Sequence, residues 1–450
     1  MTRSTLTRWL LPAAFAASLA CQAPEAARPI PDGELYFPSG MFFARPAAAP
    51  AEAGTLFVAS SNFDRRYSNG RLTGIDITKL AIPAFPAPAG AAPVDVSSLG
   101  TIDEKDLASL AGELDGIETP TGFRLIVPSR AEGSLLQLMD TSGERITCLG
   151  DPASNDCSVG ATSLEANRLT STGVPRASAP FSVSISKPDG ETYLTSLQQV
   201  DSPAASGQNP TVYALKLNVF TPDITNDNFI DLGLVRSESV RMGHRYAFMT
   251  GAQTLALRLI DRGTGKLLNA FVESNVNILD TRGLALASDE SEVFVLSRNP
   301  DALLVMSARG TDTDAPVLSL THVELLPLGA SQVVSLDKPS GGRVVFVTCL
   351  GTQSYDATGQ AQGSLIVYDS KAGQPVATLT GFGFAPYGLA VQPIGPGARF
   401  YVGLFGEGRI AVVDVPNLEN PEDIRLVARL GTSHVCTVNP GSRGCTNPSP

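Results

Sequence analysis

The chain has 450 residues, of which 43% are hydrophobic and 17% are charged, so it is too apolar for a disordered protein and can bury a sizeable core. Its formal net charge of −11 disfavours nucleic acid and anionic lipid as partners. We therefore expect a folded protein that binds no nucleic acid.

The N-terminus has the pattern of an export signal in residues 1–20. A short basic region with Arg3 and Arg8 precedes an apolar run from Trp9 to Ala20, and small residues stand before a cysteine. The run is too short to span a bilayer. We expect this segment to be removed on export.

The end of this segment carries a lipidation signal. Ser18-Leu19-Ala20-Cys21 resembles the bacterial lipoprotein box, which implies a diacylglyceryl group on Cys21, although Leu19 stands one residue later than in the family pattern. The alternative is ordinary secretion with Cys21 as an unpaired thiol. Residues 21–33 are typical of a flexible tether, and the resemblance implies sorting to the outer membrane because Gln22 replaces an aspartate.

The rest of the chain repeats a unit of four short strands, which is clearest between Phe384 and Gly431. Each segment of this unit is rich in β-branched residues and is bounded by Gly, Pro, Asn or Asp, as strands are. The segments are Tyr387–Val391, Phe400–Gly403, Arg409–Asp414 and Ile424–Leu430. Four such strands in under about fifty residues are typical of one β-propeller blade.

Two of the four strands can be followed through seven units. The second strands are Leu56–Ala59, Leu125–Val127, Tyr193–Thr195, Tyr246–Phe248, Val293–Leu296, Val345–Thr348 and Phe400–Gly403. The third strands are Gly70–Ile77, Gly133–Asp140, Thr211–Leu217, Thr254–Asp261, Ala302–Ser307, Gly363–Asp369 and Gly408–Asp414. We predict an all-β fold, a seven-bladed β-propeller of four-stranded antiparallel blades over residues 34–431, followed by a tail at 432–450. Either Glu34–Phe37 or the tail from Thr432 closes the ring.

The second strands resemble those of the YVTN family of bacterial propellers. Phe400-Tyr401-Val402-Gly403 and the segment Leu56–Asn62 are degenerate matches to the Tyr-Val-Thr-Asn strand end, and no repeat carries the full tetrapeptide. The likeness covers nearly the whole mature chain and implies the propeller fold. It implies no single activity, because the family includes lactonases, relatives of redox enzymes and surface proteins.

The long polar segments concentrate on one predicted face of the propeller. Turns between second and third strands share a face with the connections between blades, and most insertions belong to these two classes. They are Ser60–Asn69, Thr101–Thr119, Asp151–Ala177, Gln198–Asn209 and Gly351–Gln362. We predict a short helix within Thr101–Leu114, because acidic residues follow Thr101. A localised function belongs on this elaborated face.

Four residues in the turns of this face are candidate ligand-binding groups. Asn62 and Asp64 lie in a polar and aromatic cluster and could hydrogen-bond a ligand; the alternative is a side-chain-stabilised turn that closes a long hairpin. Arg130 and Arg298 occupy equivalent turns in blades two and five. They could ring the channel mouth and hold a carboxylate or phosphate, or form salt bridges between blades.

Three further candidates are predicted to face the axial channel at the start of first strands. His244, Arg282 and Tyr387 would converge there, either as a pocket or as side chains that plug the channel. His244 is a candidate general base, although a lone histidine in such a position is more often structural.

The cysteines support export. Cys148 with Cys157 and Cys436 with Cys445 each enclose a short polar loop, and such local pairs in an oxidising compartment predict two disulfides. Cys349 follows an apolar strand and is expected to be buried as a thiol.

The mature chain would contain no tryptophan, since the only one is Trp9. Sugar-binding and quinone-cofactor propellers usually stack their ligand on tryptophan, so we expect neither, and we predict no cofactor and no metal. The favoured hypothesis is a monomeric, non-enzymatic binding module of the cell envelope that takes a protein, peptide or small ligand on its elaborated face. The alternative is a lactonase-like hydrolase at the channel mouth.

The lipid anchor predicts that Cys21→Ser releases the protein from the membrane fraction into the soluble fraction, because the only membrane-binding group would be lost. Fractionation and immunoblotting measure the distribution. Persistence of the variant in the membrane fraction at the wild-type level would show that the anchor lies elsewhere.

Overall fold

The structure is a computed structural model that describes residues 29–63, 67–131, 133–164, 179–196, 212–233, 236–251, 257–270, 280–351, 362–434, 437–438 and 445–446. Within these ranges the fold is all β, and the helical segments are three short 3-10 turns, Ile77–Lys79, Asn226–Asn228 and Pro421–Asp423. Seven sheets, each with four antiparallel strands or more, follow one another in a ring. The chain is a seven-bladed β-propeller, as predicted.

Each blade contains four strands in sequence order from the axis outwards, and two blades carry extra strands. Blade 1 contains β1 (Pro38–Ala44), β2 (Thr55–Ser60), β3 (Gly70–Asp76) and β5 (Thr101–Leu107). Blade 2 contains β6 (Asp115–Thr119), β7 (Gly122–Ser129), β8 (Leu135–Ser142), β9 (Arg145–Cys148) and β10 (Thr162–Ser163). Blade 3 contains β11 (Pro180–Ile185), β12 (Glu191–Ser196), β13 (Tyr213–Asn218) and β14 (Phe229–Asp231). Blade 4 contains β15 (Val240–Met242), β16 (Tyr246–Met249), β17 (Leu257–Asp261) and β18 (Leu267–Ala270).

The remaining blades follow the same order. Blade 5 contains β19 (Thr281–Leu286), β20 (Glu292–Arg298), β21 (Asp301–Arg309) and β22 (Val317–Leu325). Blade 6 contains β23 (Ala330–Asp337), β24 (Arg343–Cys349), β25 (Gln362–Asp369) and β26 (Gln374–Phe384). Blade 7 contains β27 (Pro386–Ile394), β28 (Gly397–Leu404), β29 (Arg409–Val415), β30 (Arg425–Leu430) and the extra strand β4 (Val94–Val96). The tail contains β31 (Thr437–Val438) and β32 (Cys445–Thr446), which pair with each other.

The predicted second and third strands all overlap the observed ones. The predicted helix within Thr101–Leu114 is wrong, because Thr101–Leu107 forms β5 and pairs with β3. Its acidic residues, which suggested a helix start, instead contact the buried Arg71, with Glu104 and Asp106 each 3.2 Å from the guanidinium. Strand pairing and these ionic contacts outweigh the local helix signal.

The core lies between the blades. Successive residues of a strand point to opposite faces, so Phe57 packs with blade 2 while its neighbour Val58 packs with blade 7. Seven clusters of buried side chains fill the seven junctions between neighbouring blades. Every blade is therefore apolar on both faces, which requires a closed ring.

The ring is closed by a segment between β3 and β5. Within it, β4 pairs in parallel with β30, the outermost strand of blade 7. This differs from both expected closures, since neither Glu34–Phe37 nor the described part of the tail joins the sheet of blade 7.

One buried ion pair fixes this closing segment. Asp414, fully buried, accepts hydrogen bonds from Arg399 at 2.7 and 2.9 Å and from the backbone N–H of Ala87 at 3.0 Å. Arg399 also donates to the Pro83 carbonyl oxygen at 3.0 Å. The Pro- and Ala-rich segment is thus held to blade 7 by satisfied charges.

The cysteine predictions are confirmed where the structure describes the residues. Cys148 and Cys157 form a disulfide, and Cys349 is a buried thiol. The predicted bridge to Cys436 and the lipidation site Cys21 lie outside the described residues. Within the described part of the chain, no helix has the length and apolar character needed to cross a membrane.

We expect Asp414→Ala to lower the free energy of unfolding by about 3–5 kcal/mol, because it leaves the Arg399 charge buried without a partner. Urea denaturation followed by circular dichroism measures the change. The matched control is Asp95→Ala on the same closing segment. It removes a mostly exposed carboxylate that contacts Arg409 of blade 7, and it should lower the free energy of unfolding by less than about 1 kcal/mol. Equal losses in the two variants would contradict the role of the buried pair.

Candidate functional site

The propeller has two different faces. The loop face is the side on which first strands begin and on which second strands lead into third strands; the opposite side is the turn face. The loop face is the predicted elaborated face. The axial channel joins the two faces, and its lining comes from the first strand of each blade.

The channel is closed toward the loop face by Glu113, which precedes β6 and is buried. Its carboxylate accepts hydrogen bonds from Ser182 Oγ at 2.6 Å and Gln332 Nε2 at 2.8 Å, and it contacts Arg241 Nη1 at 3.2 Å. These partners belong to blades 3, 6 and 4. One acid therefore ties four blades together across the axis.

A network of two arginines and two acids lies beside this closure, between blades 4 and 5. Arg236 contacts Glu238 at 3.0 Å and Asp280 at 2.6 Å, and Arg282 contacts the same two acids at 3.2 and 2.8 Å. Burial raises the pKa of Glu238, although Arg282 and Arg236 oppose this effect. Burial also opposes ionisation of Asp280, but hydrogen bonds from the two arginines leave its pKa lowered.

Tyr387, Arg130 and Arg298 face this network, as predicted for the loop-face end of the channel. Burial raises the pKa of Tyr387, and the nearby Glu113 and Glu238 raise it further. Burial lowers the pKa of both arginines. Each of these groups is thus held in a partly desolvated environment.

The two turn arginines bridge neighbouring blades, but through contacts other than salt bridges. Arg298 donates to the Ala330 carbonyl oxygen at 3.2 Å and to Ser331 Oγ at 3.3 Å in blade 6. Arg130 lies over the ring of Phe181 in blade 3, 5.3 Å from its centroid, and its buried Nε has no hydrogen-bond partner among the described residues. Beside them, the arginine and acid network joins blades 4 and 5 by salt bridges.

An aromatic cluster borders the closed channel on the loop face. Phe405 packs against Phe37, Phe63 and Tyr387, with ring centroids 4.9, 5.5 and 5.9 Å apart. Phe63 is 52% exposed, which is unusual for so large an apolar side chain. Residues from blades 1 and 7 therefore form one apolar patch beside the arginines.

Asn62 supports this patch from below. Its side-chain amide donates to Ser109 Oγ at 2.9 Å and exchanges hydrogen bonds with the backbone of Tyr67 at 2.9 and 3.1 Å. It is fully buried and has a positive φ of 47°. The geometry agrees with a side-chain-stabilised turn that positions Phe63. Its predicted neighbour Asp64 lies outside the described residues.

The predicted convergence of His244 with Arg282 and Tyr387 is wrong. His244 follows β15 and lies on the turn face, where its Nδ1 contacts Glu290 Oε1 at 2.5 Å and its side chain is 84% exposed. Arg282 and Tyr387 lie at the start of β19 and β27 on the loop face. Because β15 is only three residues long, the turn that follows it resembled the start of a first strand.

On the turn face, the channel widens into a cavity of about 630 Å³. Glu113, Arg241 and Gln332 line its inner end, while Lys187 and His244 belong to its rim. Two acids of the loop-face end were not predicted from the sequence: Glu113, which closes it, and Glu238, which belongs to the network beside it. Their positions just before first strands were the available signal, but Glu113 fell within the segment assigned to a helix and β15 was placed too late.

The described residues contain no group of three or more His, Cys, Asp or Glu side chains arranged to hold a metal ion. No protein-family model matches the sequence, and no curated protein matches it. Hydrazine synthase from Kuenenia stuttgartiensis is similar to this chain, with a TM-score of 0.47 and 14% identity over 70% of this chain and 86% of that one. We draw no functional argument from so distant a likeness. The class of protein, a seven-bladed β-propeller, is defined by the strand topology.

The ionic network predicts a specific pH dependence. The folded state keeps the proton of Glu238 to a higher pH than the unfolded chain does, so stability falls as pH rises from about 4.5 through the folded-state pKa. Glu238→Gln should remove this fall in stability, which for one proton is at most about 1.4 kcal/mol per pH unit. Urea denaturation between pH 4.5 and 7 measures the slopes.

Glu419→Gln is the matched control for this measurement. Hydrogen bonds from Ser340 lower the pKa of the exposed Glu419, so the carboxylate contributes stability that is lost only as the pH falls below its ordinary range. Its removal should leave the slope above about pH 4.5 unchanged. The assignment to Glu238 is wrong if both variants keep the wild-type slope.

Proposed function

We propose that this β-propeller is a non-enzymatic binding module of the bacterial cell envelope that takes a protein or peptide segment on its loop face. The observation that carries the proposal is the aromatic cluster of Phe37, Phe63, Tyr387 and Phe405 beside partly desolvated arginines; Phe63 is 52% exposed, and the other three rings are partly buried. Aromatic residues and arginine are enriched where proteins bind one another, and large apolar side chains are rarely left half exposed without a partner.

The rigidity of this surface supports a binding role. Asn62 is buried and fully hydrogen-bonded beneath Phe63, and Arg298 is held by blade 6. Side chains that are already ordered lose little entropy when a partner binds. Among the described residues, the contacts of Glu113 close the channel behind them, so this end of the axis presents a surface.

The hydrolase alternative receives less support. It required His244, Arg282 and an acid around one point, and His244 lies on the opposite face from Arg282. Arg282 is also engaged by Glu238 and Asp280. A charged group that is paired in this way is better suited to hold blades together than to polarise a substrate.

The proposed location is the outer membrane. In this proposal the chain is exported by its N-terminal signal and anchored through lipidated Cys21. The disulfide between Cys148 and Cys157 supports an oxidising compartment. An anchored propeller of this kind would present its loop face to other envelope components.

The proposal predicts that Phe63→Ser weakens capture of envelope partners at least about tenfold, since exposed aromatic residues often dominate binding energy. Affinity purification from solubilised envelopes, quantified by mass spectrometry, measures the capture. The matched control is Phe220→Ser, since Phe220 is 42% exposed on the turn face and should leave capture unchanged. If both variants capture the same proteins as the wild type while Arg282→Ala abolishes a hydrolytic activity, the proposal is wrong.

A further inference from the structure

The cavity on the turn face is a second site, separate from the proposed loop-face surface. Its volume of about 630 Å³ lies within the range of small-molecule sites, and Glu113 closes its inner end. The first strands of several blades form its lining.

Apolar side chains form part of the wall of this cavity. Phe43, Met242, Leu286, Val334 and Val391 line it and are only partly buried, although they lie on five different first strands around the axis. Covering such surface with an apolar group is favourable because it removes apolar area from water. The wall therefore favours a ligand with an apolar body.

The inner end of the cavity contains one arginine whose hydrogen-bond donors are only partly engaged. Arg241 uses its Nη1 to contact Glu113 and to donate to the Val240 carbonyl oxygen, whereas its Nε and Nη2 make no hydrogen bond with any described residue. These two groups form the parallel donor pair that binds a carboxylate in bidentate fashion. Gln332 adds its Oε1, which accepts no hydrogen bond from the described residues.

The other cations around the cavity are already engaged. Arg262 donates to the carbonyl oxygens of Gly243 and His244 at 2.9 and 2.8 Å and contacts Asp189 at 2.8 Å. Lys187 contacts Asp115 at 2.5 Å. Arg241 is therefore the cation in the described lining that retains two adjacent donors for a ligand.

The rim disfavours a second negative charge. Asp115 and Glu290 line the opening, and Glu290 contacts the exposed His244. A dicarboxylate or a nucleotide would place its outer charge near these acids. The pocket is thus matched to a ligand with one charged end and an apolar remainder.

We propose that the turn-face cavity binds an amphipathic monocarboxylate, with its carboxylate on the Nε and Nη2 groups of Arg241 and its apolar body along the wall. Glu113 holds Arg241 at the floor, and Gln332 accepts a hydrogen bond from any donor close to the carboxylate. The ligand class covers medium-chain fatty acids and aromatic acids of similar length.

The test is a displacement assay with the purified protein and dansylaminoundecanoic acid, whose fluorescence rises in an apolar site. Decanoate should displace the probe, while decanol, which has the same apolar body without the charge, should bind at least about tenfold more weakly. Suberate, which carries a second carboxylate, should also bind more weakly than decanoate. Equal affinities for decanoate and decanol would overturn the proposal.

Variants separate this site from nonspecific binding. Arg241→Lys keeps a positive charge beside Glu113 but loses the donor pair. The affinity for decanoate should therefore fall at least about tenfold, and the affinity for decanol should stay unchanged. Val391→Trp fills the cavity and should abolish binding of both, with folding checked by circular dichroism. Unchanged probe binding in folded Val391→Trp would show that the probe binds elsewhere and refute the proposal.

One further variant keeps this test independent of the loop-face proposal. Phe63→Ser should leave decanoate affinity unchanged, because Phe63 lies on the loop face, beyond the closure formed by Glu113. A matching loss in Phe63→Ser and Val391→Trp would contradict a separate site on the turn face.

Discussion

Burial of each blade on both faces is the constraint on which the rest of the structure depends. Alternate side chains of one strand, such as Phe57 and Val58, pack into the junctions on either side of their blade. A blade at the end of an open row would expose one of these apolar faces to water. The ring removes this exposure, and it also brings the first strands together around an axis where polar side chains must find partners across the channel.

The last junction, between blades 7 and 1, is the most demanding, because its two sides are far apart in sequence. Closing so long a loop costs conformational entropy. The chain offsets this cost with a segment from blade 1 that adds β4 to the outer edge of blade 7 and places Ala87 on the buried Asp414. The pair of Arg399 with Asp414 is fully satisfied there, and its geometry selects one position for the segment.

The sequence allowed the blades to be predicted because their inner strands are long apolar runs with β-branched residues, as in Val345–Thr348. Where the pattern was weak, the prediction failed. The acidic residues of β5 suggested a helix because their partner Arg71 is distant in sequence, and β15 is too short to show alternation. Of the candidate site, Arg130, Arg298, Arg282 and Tyr387 were placed on the correct face, but their partners depend on contacts across the axis that no local pattern reveals.

Glu113 contributes both to the loop-face closure of the axial channel and to the turn-face cavity. Its contacts with Ser182 and Gln332 close the channel toward the loop face, and its contact with Arg241 positions the free donor edge of that guanidinium toward the turn face. A change at Glu113 would therefore disturb both ends, whereas Phe63 and Val391 each belong to one. The closure is made of paired charges and not of packed apolar groups, so the inner end of the cavity is polar. The same closure separates the two faces, so the ring can carry a binding surface on one face and a pocket on the other.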